Sequence, residues 1–379
     1  MRKLPLFFLL LVLWISGTLQ KKDRHPQRRN VTNGAVPRVF IGEPVLQTEP
    51  AFVPNATRAP GSSPSLPALR LLSNSTAEYL RGALSTRVIP VIYTLVVTFG
   101  VPANVLILCA LASKIRKVSS AILYCSLAVS DLFLLLSLVF RVHYHLHGNH
   151  WALGEAACRA TTACFYGNLY CSATTLACIA VKRYLAVVHP FSYRSPPRRT
   201  CTAAVTLAVW SVFAAAVVPQ LLVRQSYALA EPRRVTCHDV LPLRADSHRF
   251  LLHYHVALAV LGLVLPLVVS VFCYVRIMCE LNRSHLDWAT YIRASSLVFA
   301  IFLLCFTPAG VLHLLHHLLH HLQLFADGTE SLYVHFNVVV CLCCLHACLD
   351  PFLFLLMSKS AGSRKYFQAS KGVSITLSA

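Results

Sequence analysis

Apolar residues fall into long, nearly unbroken stretches separated by short polar segments, and this pattern sets the class of the chain. Stretches at about residues 88–113, 119–142, 155–188, 201–223, 250–280, 291–319 and 332–357 are each long enough to cross a bilayer as a helix, which takes about 20 residues. A shorter run, Leu4 to Ile15, cannot cross. Arg2 and Lys3 precede it and Ser16, Gly17 and Thr18 follow, the basic, apolar, small-residue order of a secretory signal peptide. Cleavage is expected near residue 20. Residues 21–87 are rich in Pro, Ser, Asn, Arg and Gly and hold no sustained apolar period, so the segment is expected to be mostly disordered. The domain boundaries are therefore 1–20 signal peptide, 21–87 extracellular segment, 88–357 helix domain and 358–379 tail. The expected fold class is an all-α membrane protein, a seven-transmembrane helix bundle with a disordered extracellular N-terminal segment.

Orientation follows from the ends. Three N-x-S/T sequons, at Asn30, Asn55 and Asn74, fall in the segment after the signal peptide, and glycosylation requires a lumenal asparagine. Seven spans then put the tail inside, and the sequon at Asn282 falls on the cytosolic side, where it is expected to go unused. The positive-inside rule adds little. Lys114, Arg116, Lys117, Arg194, Arg198 and Arg199 lie inside, but the outer loops carry Arg233, Arg234, Arg244 and Arg249. The signal peptide decides for a multi-pass plasma-membrane protein with its N-terminus outside.

Composition agrees. Of 379 residues, 56% are hydrophobic and only 13% charged, about half the charged share of a soluble domain. The net charge of +20 is read as basic loops beside membrane lipid. No nucleic-acid-reading module is visible, so no nucleic-acid partner is expected. Most of the fifteen cysteines lie inside apolar runs, where a free thiol behaves as a small hydrophobe. Cys158 and Cys237 stand apart, and a secreted topology makes a disulfide between them plausible.

Polar residues and prolines inside spans are costly and each needs a reason. Asn104 lies in the first span, Asp131 in the second, Arg183 at the end of the third in KRYLAVVHP, Trp210 in the fourth, Pro266 in the fifth, Pro308 in the CFTP of the sixth, and Asp350-Pro351 in the seventh. In this order and spacing, over about residues 88–358, the chain resembles the rhodopsin-like G-protein-coupled receptors. That resemblance implies a disulfide from Cys158 to Cys237 holding the second outer loop over the ligand pocket. It also implies a switch toward a heterotrimeric G protein built on Arg183, Asp131 and Asp350. Narrower stretches, namely STRVIPVIY from Ser85, CRATTACFYGNLYCS from Cys158, CHDVL from Cys237 and CLDPFLFLLMSK from Cys348, are similar to those of the protease-activated (thrombin) receptor family. A short tail with no cysteine after Cys348 fits one of its subtypes.

Such receptors carry their ligand in their own N-terminus. Val36-Pro37-Arg38 precedes Val39-Phe40-Ile41-Gly42-Glu43-Pro44. Arg38 suits the acidic specificity pocket of a trypsin-like serine protease, and Pro37 fits thrombin's preference as the resemblance implies it. Cleavage between Arg38 and Val39 is expected to free an α-amine followed by Phe40 and Ile41. Tethering supplies the effective concentration that lets a weak ligand act. The downstream acidic-aromatic segment by which thrombin grips its receptors is thin here, reduced to Glu49 and Phe52, so another trypsin-like protease would also serve. The resemblance places docking at His238, Asp239 and Leu241 of the second outer loop, at His317, and at Tyr333. Asp239 is expected either to pair with the new amine or to brace its loop. His313, His316, His317, His320 and His321 share one helical face and are read as a polar rim rather than a metal site.

Three departures bear on signalling. Lys182 stands where most relatives have the acid that holds the arginine at rest. Phe354 stands where they have a tyrosine. Asp131 and Ser172 match two members of the family's sodium site, but His346 and Ala347 replace its polar pair, so sodium is not expected there. No cofactor or metal is expected, and no nucleophile–base motif or P-loop suggests an enzyme. Internal repeats and broken-helix pairs, which would mark a transporter, are missing. Two functional readings follow. The first is a G-protein-coupled receptor activated by cleavage after Arg38. The alternative is a poorly signalling cofactor that captures the protease and presents it to a neighbouring protease-activated receptor.

Overall fold

The computed structural model describes residues 40–44, 68–71, 74–113, 119–190, 193, 198–230, 233–242, 254, 256–283, 289–312 and 329–356. Among these residues, seven helices are long and apolar enough to cross a membrane: α1 Thr76–Ala112, α2 Ser119–Leu146, α3 Gly154–Val188, α4 Arg199–Leu222, α5 Val256–Asn282, α6 Ile292–Leu312 and α7 Val334–Leu356. Each matches one of the expected stretches. The largest difference is at α1, which begins at Thr76 rather than residue 88. The extra turns are amphipathic and too polar to read as a span. Thr76, Tyr79 and Leu80 turn inward while Glu78 and Arg81 do not, the i, i+3, i+4 spacing of one buried face. Helix α2 likewise runs past residue 142, to Leu146, through the polar stretch that holds His143 and His145.

Large side chains such as Leu95, Phe99, Leu106, Leu207, Val212, Leu222 and Phe272 face outward. In water such a belt would drive association; around a bundle of this length it is the lipid-facing surface. Among the described residues the interior holds two large apolar clusters and a small third one, Tyr144 and Trp151 around the Cys158–Cys237 disulfide. The outer of the large two holds Tyr93, Leu135, Leu138, Phe165, Tyr166 and Phe336. The inner one holds Leu127, Leu176, Ile301, Phe302, Phe306 and Leu353. Where helices cross closely, small residues permit it: a Cβ on Gly167 of α3 would collide with the Phe213 ring of α4. Polar side chains within the bundle answer to specific partners. Asn104 Nδ2 donates to the Gly100 carbonyl and to Ala347 O, both at 2.9 Å, tying α1 to α7. Trp210 Nε1 donates to Ser126 Oγ at 2.7 Å, tying α4 to α2.

Among the described residues, three π-turns interrupt the helices, at Leu84–Val88, Val260–Val264 and Phe302–Phe306. Each ends two residues before a proline: Pro90, Pro266 and Pro308. A proline ring collides with the carbonyl four residues back and offers no N–H to it. A widened turn is one way a helix accommodates the lost bond and continues.

Above the helices lies a five-stranded sheet in the order β4-β3-β2-β1-β5. Its strands are β1 Phe40–Pro44, β2 Ala68–Leu71, β3 Ser226–Leu229, β4 Arg234–Cys237 and β5 Val240–Pro242. The loop between α4 and α5 supplies the β3–β4 hairpin, with Ser226 opposite Cys237, and then β5. The N-terminal segment, read from its composition as unstructured, supplies the other two strands. β2 lies parallel to β3, β1 lies antiparallel to β2, and β1 runs parallel to β5. Only His238 and Asp239 separate β4 from β5, the two ends of the order. A flat sheet would hold those ends about 19 Å apart, beyond the roughly 11 Å that three backbone steps can reach. The sheet therefore curls, bringing the fully buried Val240 back beneath it.

Candidate functional site

The outer mouth is built from the start of α3 upward. Cys158 in its second turn bonds to Cys237 at the end of β4, with Cα atoms 5.7 Å apart, as expected from the sequence. The carboxylate of Glu155, one turn earlier, accepts from the backbone N–H groups of Gln225 and Ser226, both at 2.8 Å, and from Arg159 Nε at 2.6 Å. These bonds fix where the hairpin leaves α4. Glu155 carried no motif and was not singled out from sequence; an acid in the first turn of a helix is its only local signal. Burial, with the Glu155 carboxylate nearby, raises the Tyr227 phenol above its ordinary pKa.

After the disulfide the chain turns sharply. His238 has φ +67°, a left-handed conformation uncommon for a residue with a Cβ. It is held there by its N–H on the Gln225 carbonyl at 2.9 Å and by Nδ1 on Gln225 Oε1 at 2.7 Å. Its ring lies 5.1 Å from that of Tyr166. Asp239 is buried, and its Oδ2 accepts from Tyr144 OH of α2 at 2.6 Å. In this structure Asp239 braces the loop. A second buried network closes the side of the mouth. Asn149 Nδ2 donates to the Leu80 carbonyl at 2.7 Å and to Ser85 Oγ at 2.9 Å, while Asn149 Oδ1 receives the His145 Nδ1 contact at 2.7 Å.

The ligand segment expected from sequence has a definite place. In β1, Phe40 is paired with Val240, Ile41 with Leu241 and Gly42 with Pro242. On its other side Gly42, Glu43 and Pro44 pair with Leu71, Arg70 and Leu69. Tyr333 lies on the helix Thr329–Cys343 at the outer end of α7, and Asn74 begins the helix Asn74–Arg81. Arg38, Val39, His317, Asn30 and Asn55 lie outside the described residues, as do His313, His316, His320 and His321.

At the inner end, Arg183 is buried and makes no ion pair among the described residues. Its NH1 donates to Ser295 Oγ of α6 at 3.4 Å and its NH2 to Tyr124 OH of α2 at 3.5 Å, both near the limit of a hydrogen bond. Lys182 turns away from it, donating to Thr202 Oγ1 at 2.9 Å and Ser119 Oγ at 3.1 Å. The Phe354 ring of α7 meets Tyr124 edge-on at 6.0 Å. Between mouth and switch, Asp131 Oδ1 accepts from Ser172 Oγ at 3.2 Å and from Asn168 Nδ2 at 3.3 Å. His346 Nε2 stands 3.5 Å from the same oxygen.

A seven-helix bundle with a disulfide-tied outer loop and a buried arginine at its inner end defines a class. Residues 103–354 match the family model described as 7 transmembrane receptor (rhodopsin family). The chain is 41% identical over 288 residues to proteinase-activated receptor 3 of Rattus norvegicus, covering 76% of this chain and 77% of that one. It is 40% identical over 289 residues to the Homo sapiens form, covering 76% of each. It is also 37% identical over 294 residues to Homo sapiens proteinase-activated receptor 4, covering 76% of this chain and 73% of the relative. The chain belongs to the rhodopsin family of seven-helix receptors and, within it, to the proteinase-activated receptors. It is a multi-pass plasma-membrane receptor and not an enzyme.

Proposed function

We propose that this receptor is switched on by a trypsin-like serine protease, thrombin among them, cutting between Arg38 and Val39. The new N-terminus, Val39 through Pro44, is its tethered ligand, and a heterotrimeric G protein is its partner inside. The observation that supports this most is the parallel pairing of Phe40–Gly42 with Val240–Pro242. The segment that follows the proposed cut lies along the loop where the family resemblance implies docking. Strand addition gives affinity through main-chain bonds, and the tether supplies concentration. Asp239 immediately precedes the residue paired with Phe40, so a carboxylate stands next to the expected position of the new amine. To take that amine it must share or surrender its bond to Tyr144.

The switch region supports a second reading. With Lys182 turned away, Arg183 without an ion pair among the described residues, and Phe354 offering an edge in place of a hydroxyl, a cleaved receptor that signals weakly would serve mainly to present the protease to a neighbouring protease-activated receptor. The test expresses the full chain and Arg38→Ala in receptor-null cells with an N-terminal epitope tag, adds thrombin or trypsin, and reads tag loss beside G-protein dissociation. Tag loss with signal, both abolished in Arg38→Ala, is expected. Tag loss without signal would favour the presenting role, and retention of the tag would sink the Arg38 assignment.

A further inference from the structure

The outer end of α2 carries two histidines that neither the ligand mouth nor the switch uses. His143 and His147 are both exposed, and their rings stack with centroids 4.1 Å apart and planes 30° from parallel. Side chains at i and i+4 share one face of a helix, and two imidazoles at that spacing are the unit from which helical zinc sites are made. The state of one ring follows from its bonding. His147 Nδ1 lies 2.8 Å from the His143 carbonyl, which can only accept, so the proton of the neutral ring sits on Nδ1 and the lone pair on Nε2. A ligating histidine commonly gives its other N–H to a backbone carbonyl in this way, which fixes the ring. The same carbonyl takes the His147 backbone N–H at 3.1 Å, so this ring is anchored where the helix ends.

We propose that His143 and His147 form an extracellular binding site for one divalent transition-metal ion of zinc's class, held by the two imidazoles across the end of α2. The donor set decides the class. Imidazole suits zinc, whereas magnesium and calcium take oxygen donors. Exposure decides the rest of the shell. Two neutral rings leave the charge of the ion uncompensated, which is costly in a dry site and not in water, and water fills the remaining positions as in open zinc sites. Geometry asks for a small adjustment. Tetrahedral zinc with bonds of about 2.0–2.1 Å sets two imidazole centres about 5 Å apart, so the stack opens by about 1 Å. His147 is held by its carbonyl bond, so His143 supplies the movement. The consequence lies one residue further on. Gly148 and Asn149 have φ +68° and +60°. The Gly148 carbonyl accepts from Arg234 of β4, and Asn149 holds Leu80 and Ser85 of α1. An ion that clamps the end of α2 fixes the departure of this turn and stiffens the join between α2, α1 and the hairpin.

The test uses the full-length receptor, without a histidine tag, purified in a chelator, freed of it and titrated with Zn²⁺. Other histidines compete, so the reading is a difference between variants. Both rings face solvent, and the His143→Asn, His147→Asn double variant is expected to fold as wild type does. Wild type is expected to bind one zinc equivalent more than the double variant, and either single substitution to remove that equivalent. Zn²⁺ is expected to raise the thermal midpoint of wild type more than that of the double variant, and Ca²⁺ or Mg²⁺ to move neither. In wild type only, Zn²⁺ is expected to slow hydrogen exchange at the amides of His147, Gly148 and Asn149. Equal zinc stoichiometry in wild type and the double variant would overturn the proposal. So would exchange at those three amides that Zn²⁺ leaves unchanged in wild type, or slows equally in both.

Discussion

Buried polar side chains in this receptor are held by partners far away in sequence, so single substitutions have large expected effects. Tyr144 and Asp239 lie 95 positions apart and are joined at 2.6 Å. Tyr144→Phe removes a hydrogen bond to a buried carboxylate, and a loss of about 1.5–3 kcal/mol is expected in thermal unfolding of the purified receptor. Gly167→Ala would push a methyl against the Phe213 ring and Val217; overpacking of this kind costs about 1–3 kcal/mol, and the same assay reads it. At the switch, Phe354→Tyr places a hydroxyl next to Tyr124 and the Arg183 cluster. It is expected to raise G-protein dissociation per receptor cleaved, and an unchanged ratio would remove Phe354 from any account of weak signalling. How much of this was legible depended on chemistry. Asn104, Asp131, Arg183 and Asp350 could be found because a polar group inside an apolar run is conspicuous. Glu155, Asn149 and Ser85 could not. They sit in polar stretches where nothing distinguishes them, and their partners come from other elements.

The seven spans were legible because a bilayer demands long apolar runs, and that demand acts on each helix separately. The start of α1 was missed because Thr76–Arg87 is amphipathic, its buried face packed on β2, α2 and α7. The three π-turns were signalled only by their prolines. A proline in a helical pattern announces a broken bond but not whether the helix kinks, ends or widens. The strands at Phe40–Pro44 and Ala68–Leu71 carried the weakest signal of all. At five and four residues, each exists because a neighbour completes its ladder. The disulfide belongs to this scale too, since it joins α3 to β4 across 79 positions. Cys158→Ala or Cys237→Ala is expected to cost about 2–5 kcal/mol and to lower the amount of receptor at the cell surface, measured by antibody to an N-terminal tag.

Across the whole molecule, the strands Phe40–Pro44 and Ala68–Leu71 of the N-terminal segment are part of the folded receptor before any protease arrives. β1 is enclosed by β2 on one edge and β5 on the other, and β2 is anchored by Leu69, 1% exposed in the outer apolar cluster. The sheet therefore acts as a clock on its own destruction. Proteases cut extended chain that has come free of its ladder, so the cutting rate near β1 tracks the population of the opened sheet when closing is fast. Leu69→Asp buries a charge where a leucine was and is expected to shift that population toward the open form, shortening the half-time of tag loss at fixed protease concentration. An unchanged half-time would mean that the sheet gives no such protection. If it shortens as expected, sensitivity to protease is set partly by a strand pair that does not contain the cut. Two receptors with identical cleavage sites would then respond at different rates for reasons written entirely in their folding.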